Sequence, residues 1–131
     1  MDIVHSNRRK TYRYPISIPG IVTLIKNKEI SESIQIENIS YDGIQIVFSN
    51  NRFLIDFFEA YEDVDYKINI EFEYKDNKYT FENKILWIRL YNLGEKDPYT
   101  LSGLNFINKE SYEKNLIDLL LIIDMEKVYI G

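Results

Sequence analysis

The chain has 131 residues, 45% of them hydrophobic and 28% charged, with no cysteine and a net charge of −5. That length and balance specify one folded domain with its own core, and exclude a disordered tract or a disulfide-stapled miniature. The missing cysteines exclude thiolate metal sites and agree with a reducing compartment, while the negative charge argues against a general nucleic-acid binder.

The opening MDIVHSNRRK lacks the apolar stretch of a secretory signal, and no apolar run approaches the ~18 residues of a spanning helix. The expectation is a cytoplasmic protein without membrane insertion. Residues 1–15 show no apolar periodicity, and Pro15 biases Tyr14 away from helix. They read as a flexible arm with residues 16–131 as a single domain. In residues 1–13, Asp2 stands against Arg8, Arg9, Lys10 and Arg13, a local charge of +3 that leaves −8 on the rest. A basic arm therefore precedes an acidic body.

Residues 16–25 are β-branched and strand-like, with Pro19-Gly20 predicting a bulge or bend. Ile34 and Ile36 alternate with polar residues, as do Ile44, Ile46 and Phe48, so two half-buried strands flank Ser40-Tyr41-Asp42-Gly43. There Asp-Gly predicts a hairpin turn with positive φ. Phe53, Leu54, Phe57, Phe58 and Tyr61 mark a short helix near 51–62, with Asn50 or Asn51 as its N-cap.

Strands resume at Ile68, Ile70 and Phe72. Lys75-Asp76-Asn77-Lys78 reads as a turn. Tyr79, Phe81, Ile85 and Trp87 are expected on one inward face of a long strand that ends near Leu90. A polar loop through Gly94 and Pro98 leads to a last strand over 101–106. Residues 109–124 predict a helix with a core stripe of Tyr112, Leu116, Leu119, Leu120 and Ile123; Ile117, Leu121 and Ile122 lie off it. Short antiparallel strands closed by a helix describe a small β-barrel.

Two motifs carry chemistry. Arg9 and Arg13 are four apart on the arm with Arg8 in front, and a guanidinium fork matches either the guanine O6/N7 edge or two phosphate oxygens. Asn38, Ser40 and Gly43 follow as N-x-S-x-x-G. An Asn carbonyl can accept from a guanine edge, a Ser hydroxyl can serve base or phosphate, and Gly allows close approach. Each motif alone also reads plainly, as a solvated basic terminus and as a hairpin turn.

In this order and ahead of a β-rich body, the two motifs resemble those of the PilZ family of cyclic di-GMP receptors over roughly residues 8–124. Ile85-Leu86-Trp87-Ile88-Arg89, Ser102-Gly103-Leu104-Asn105-Phe106 and the terminal helix fit as well. The resemblance implies a mainly β fold: a six-stranded antiparallel barrel with a C-terminal capping helix. It implies that Arg8, Arg9, Arg13, Asn38, Ser40 and Gly43 form a cyclic di-GMP site. Arg9 and Arg13 would clasp guanine and phosphate, Asn38 and Ser40 would read the other side of the base, and Arg8 is associated with a stacked ligand pair. Asn38 stands where Asp is commoner, which removes a charge-assisted acceptor.

The expected function is a non-enzymatic receptor that orders its arm on binding cyclic di-GMP and so changes its contact with a downstream protein. No other cofactor and no metal are expected. The alternative is a PilZ-like interaction module that binds no nucleotide, with a homodimer through the C-terminal helix as one form. A barrel for single-stranded nucleic acid fits the acidic body poorly. His5, the only histidine, reads as solvated, and Glu59, Glu62, Asp63 and Asp65 as an acidic face without ligand spacing.

Overall fold

A computed structural model describes the backbone of residues 12–130 and the side chains of residues 12–126. In chain order the elements are β1 (Tyr14–Ile25), β2 (Glu29–Ile39), β3 (Gly43–Ser49), α1 (Phe53–Glu62), β4 (Lys67–Tyr74), β5 (Asn77–Tyr91), β6 (Tyr99–Phe106), a 3-10 turn (Lys109–Ser111) and α2 (Glu113–Ile130). The strands close an antiparallel barrel in the order β1-β2-β3-β6-β5-β4. Closure removes the exposed edges that an open sheet of this size would present.

The period-2 alternation does what it predicts. Ile34, Ile36, Ile44, Ile46, Phe48, Ile68, Ile70, Phe72 and Phe81 all point inward and are buried. The helix near 51–62 is α1, and it buries Phe53, Phe57 and Ala60. Phe48 meets the rings of Phe53 and Phe57 edge-on at 5.5 and 5.2 Å, the geometry aromatic pairs prefer. Of the two candidate caps, Asn51 serves: its Oδ1 accepts the Phe53 N–H at 2.7 Å. Asn50 instead accepts the Thr100 hydroxyl.

Helix α2 lays Leu116, Leu119 and Ile123 into the barrel core; burying each such side chain contributes about 2 kcal/mol. Its charged residues meet three tyrosines from strand ends at one mouth of the barrel. Tyr14 at the start of β1 donates to Asp124 at 3.1 Å, Tyr41 after β2 donates to Glu113, and Tyr74 at the end of β4 donates to Glu126. Lys75 adds an ion pair to Glu126 at 2.5 Å. The helix is thus held over this mouth by apolar burial on one stripe and polar contacts along its flanks.

Several expectations are corrected. Tyr14 and Pro15, assigned to the arm, already pair with Ile39 and Asn38 of β2, so the domain begins two residues earlier. Of the rest of the arm, Tyr12 and Arg13 are described and exposed, and residues 1–11 lie outside the described residues. The β1 irregularity falls between Pro15 and Ile18, not at Pro19-Gly20. Gly20 is instead the first β1 residue to pair with β4, and a Cβ there would sit 2.9 Å from the Glu71 carbonyl. Pro19, with no N–H to give, stands just beyond that ladder.

Trp87 does not share the inward face of Tyr79, Phe81 and Ile85. A bulge between Ile85 and Trp87 shifts the register by one, which reverses every later side chain. Ile88 takes the place against the core. On α2, Ile117 and Leu121 are exposed as expected and Met125 extends their stripe, whereas Ile122 is half-buried.

Two half-buried phenols predict alkaline behaviour. Burial above all, reinforced by the Glu126 carboxylate, pushes Tyr74 up to about 12. Burial, with the nearby Glu82, does the same for Tyr112, whose hydroxyl donates to the carbonyls of Ile107 and Glu82 at 2.5 and 3.0 Å. Between about pH 10 and 12 the unfolded chain releases phenol protons that the folded chain keeps, so stability falls as pH rises through that window. Thermal unfolding midpoints should be level from neutral pH to about 9.5 and drop above 10. In Tyr74→Phe the drop should be shallower; an unchanged profile would refute the assignment.

Candidate ligand-binding site

The N-x-S-x-x-G segment does not form its turn in the expected way. Among the described residues positive φ occurs at Lys75, Asp76, Asn92, Asp97, Asn108 and Gly94, and neither Asp42 nor Gly43 is among them. Ser40 builds the turn. Its Oγ accepts the N–H groups of Asp42 and Gly43 at 3.1 and 3.2 Å, and the Ser40 N–H donates to the Gly43 carbonyl at 2.9 Å. This is the side-chain mimic of a backbone turn. Ser40 is only 2% exposed, so its hydroxyl faces the turn and not solvent.

Gly43 is required by packing. It pairs with Asn105 of β6, and a Cβ would lie 2.1 Å from the Leu104 carbonyl oxygen. The turn is also gripped from outside: the Phe106 N–H donates to the Asp42 carbonyl at 2.9 Å. The Lys109 ammonium donates to the Tyr41 carbonyl at 3.1 Å and lies 3.6 Å from the Tyr41 ring centre.

Asn38 owes its direction to a second bulge. Ile36 pairs with Ile46, but the next pair is Asn38 with Gln45, so Glu37 is the extra residue. Without it, period 2 would send Asn38 inward after Ile34 and Ile36. With it, Ile39 becomes the buried residue and Asn38 joins the outer wall. There the Arg13 guanidinium donates to Asn38 Oδ1 at 3.1 Å, and the Asn38 amide donates to Gln45 Oε1 at 2.9 Å. Arg13 is exposed.

This line continues across the wall. Gln45 pairs with Gly103 of β6, and Gly103 pairs with Trp87 of β5. Asn38, Gln45, Gly103 and Trp87 therefore form one rung across four neighbouring strands.

Of the six residues assigned from sequence, Arg13 and Asn38 are hydrogen-bonded on the outer wall, and Ser40 and Gly43 form the turn that ends β2 beside them. Arg8 and Arg9 lie outside the described residues. Gln45 was missed; its outward signal was the alternation with Ile44 and Ile46. Lys109 gave no signal, because it meets Tyr41 only through the fold. In the acidic group, Asp63 pairs with Lys26 at 2.6 Å, and that hydrogen bond holds its carboxyl below the usual range. Among the described residues no cluster of acidic or histidine side chains could hold a metal ion, and no helix is long and apolar enough to cross a membrane.

No family model and no curated protein matches the chain. Solved structures do. The PilZ domain of YcgR from Escherichia coli with c-di-GMP superposes with a TM-score of 0.64 at 12% identity, covering 92% of this chain and 95% of that one. MrkH of K. pneumonia in its c-di-GMP complex gives 0.57 at 14% identity over 92% of this chain. Borreliella burgdorferi PlzA in complex with c-di-GMP gives 0.51 at 16% over 83%. The chain spans about half the length of the latter two, 56% and 51%. At these identities the likeness speaks for the fold: a closed six-stranded barrel with a helix over one mouth is a PilZ-like domain.

Proposed function

We propose that this chain is a non-enzymatic receptor for cyclic di-GMP. The observation that carries the reading is the Arg13–Asn38–Gln45 line of hydrogen bonds on the outer wall of a PilZ-like barrel. Guanidinium and amide groups held in one row suit the donor and acceptor edges of guanine, and an exposed guanidinium also suits phosphate. In this reading Arg8 and Arg9 approach from the arm, Ser40 and Gly43 hold the turn beside Asn38, and the ligand gathers arm and wall together. The arm, neutralised by the ligand, then changes the surface offered to a downstream protein.

The outward groups are donors, acceptors and a cation, with no nucleophile–base pair beside them among the described residues, so binding rather than turnover is the chemistry they support. The test is calorimetric titration of the whole chain with cyclic di-GMP, against cyclic di-AMP, GTP and an oligonucleotide. Saturable binding of cyclic di-GMP, with cyclic di-AMP much weaker, supports the reading. Adenine offers a donor amine where guanine offers O6, so an arginine there loses its acceptor. No binding, or equal binding of both, refutes it.

A second reading rests on a separate observation. Ile117, Leu121 and Met125 are spaced four apart on α2 and are 42%, 55% and 58% exposed, a continuous apolar stripe of the kind that meets protein. This favours an interaction surface on α2, for a second copy or a downstream protein, beside the nucleotide site. Leu121→Lys should leave the thermal midpoint and ligand affinity near wild type, because Leu116, Leu119 and Ile123 still fill the core. It should abolish any dimer seen by light scattering. Loss of folding would show that Leu121 is core.

A further inference from the structure

One inward position of the barrel is polar where its neighbours are not. Along β5, Tyr79, Phe81 and Ile85 are buried and apolar, and Asn83 between them is only 2% exposed. Its amide nitrogen donates to the Asn105 carbonyl of β6 at 3.5 Å, the long limit of a hydrogen bond. Its Oδ1 accepts from no donor among the described residues. Turning the amide over would set that oxygen against the Asn105 carbonyl, so the unpartnered group is the acceptor. A buried acceptor without a donor is costly, and native proteins keep few of them.

The fold leaves a space beside this group. Asn83 is the residue at which β5 exchanges neighbours: it pairs with Ile68 near the start of β4 and with Phe106 at the end of β6. The β4 ladder ends at that pair, and α1 packs against β5. A cavity of about 260 Å³ remains between them, and Asn83 lines it. Ala60, Ile68, Ile85 and Ile107 give it apolar walls, and the rings of exposed Tyr61 and half-buried Tyr66 line it as well. The Asn83 nitrogen reaches toward β6, which leaves Oδ1 on the side of Ile68 and Ala60. Neither charged residue at the cavity offers an ion a buried partner. Asp63 is already paired with Lys26 at 2.6 Å, and Lys84 is exposed.

We propose that this cavity binds a small neutral aromatic molecule carrying one N–H or O–H donor. The donor meets Asn83 Oδ1, the ring lies among the isoleucines, and the tyrosine rings take its edge or face. Size limits the class: an apolar cavity of roughly 150 Å³ takes benzene, so this one suits about two fused rings. Charge limits it too, because an ion would be buried without a partner. The site shares no residue with the Arg13–Asn38–Gln45 row, so it stands or falls apart from the receptor reading.

Indole and benzofuran are the probes. They share one shape, but benzofuran carries an acceptor oxygen where indole has its N–H. Each is titrated into the whole isotope-labelled chain and into Asn83→Leu. Amide shifts, the Asn83 side-chain amide among them, follow the binding, and circular dichroism verifies folding. The expected result is saturable indole binding at least tenfold tighter than that of benzofuran, with shifts centred on Ala60, Asn83 and Ile85. Asn83→Leu should bind the two alike, since the acceptor that tells them apart is gone. No saturable indole binding, equal affinity for both probes in the wild type, shifts centred elsewhere, or a preference for indole kept by Asn83→Leu overturns the proposal. Should Asn83→Leu fail to fold, the two wild-type titrations decide it alone.

Discussion

Replacing Arg13 with alanine is expected to weaken cyclic di-GMP binding about 5- to 150-fold, the ~1–3 kcal/mol of a good bidentate arginine contact. Folding should be unaffected. Arg13 is exposed, and the bond it loses, to Asn38 Oδ1 at 3.1 Å, lies on the solvent side of the barrel, where water replaces it at little cost. Arg9→Ala should show a loss of similar size, because in the proposed receptor reading both arginines of the motif meet one ligand. Asn38→Ala should fall in the same range without harming the barrel: the bulge at Glu37 has already placed Asn38 outside the core. The measurement is calorimetric affinity beside a thermal midpoint for each variant. Wild-type affinity in both arginine variants would remove them from the site.

Gly43→Ala is expected to be the most damaging single-methyl change in the turn, costing about 3 kcal/mol or more, at or beyond the upper end for overpacking. The added Cβ would sit 2.1 Å from the Leu104 carbonyl oxygen and 3.1 Å from its carbon. Both are backbone atoms in the β3–β6 ladder, so neither can rotate away. Relief requires β3 to part from β6, which also strains the Asp42–Phe106 backbone bond. Gly103→Ala gives the contrast. Its Cβ would meet the Trp87 indole at 2.5 Å, and a partly exposed side chain can swing aside. That variant should lose only ~1 kcal/mol or so, the low end of overpacking, while shifting tryptophan emission. Urea unfolding with constant slope would separate the two; a Gly43→Ala midpoint at wild type would show that the strands part freely here.

The period-2 runs around Ile34, Ile44 and Ile68, the aromatic stripe of α1 and the leucines of α2 were legible because burial on one face repeats with the period of the element itself. So was the turn at Ser40–Gly43, since its residue types mark a turn without knowledge of any partner. The roles within the turn were not. Asp-Gly suggests positive φ, yet Gly43 serves close approach to Leu104 and Ser40 closes the turn through its own oxygen. Which of these a glycine answers depends on a strand that arrives about sixty residues later in the chain.

The same reason accounts for Trp87. Alternation from Tyr79 sends it inward, and one unpaired residue at Leu86 sends it out. A bulge changes no composition and little local propensity; it is set by how two strands twist against each other on closing the barrel. Sequence by itself determined the elements, the core and the two motifs, because those depend on neighbours along the chain. Tertiary structure alone decided which side of the wall Asn38 and Trp87 occupy, that they share a rung with Gln45 and Gly103, and that Tyr14, Tyr41 and Tyr74 meet one helix, because each depends on register between strands distant in sequence.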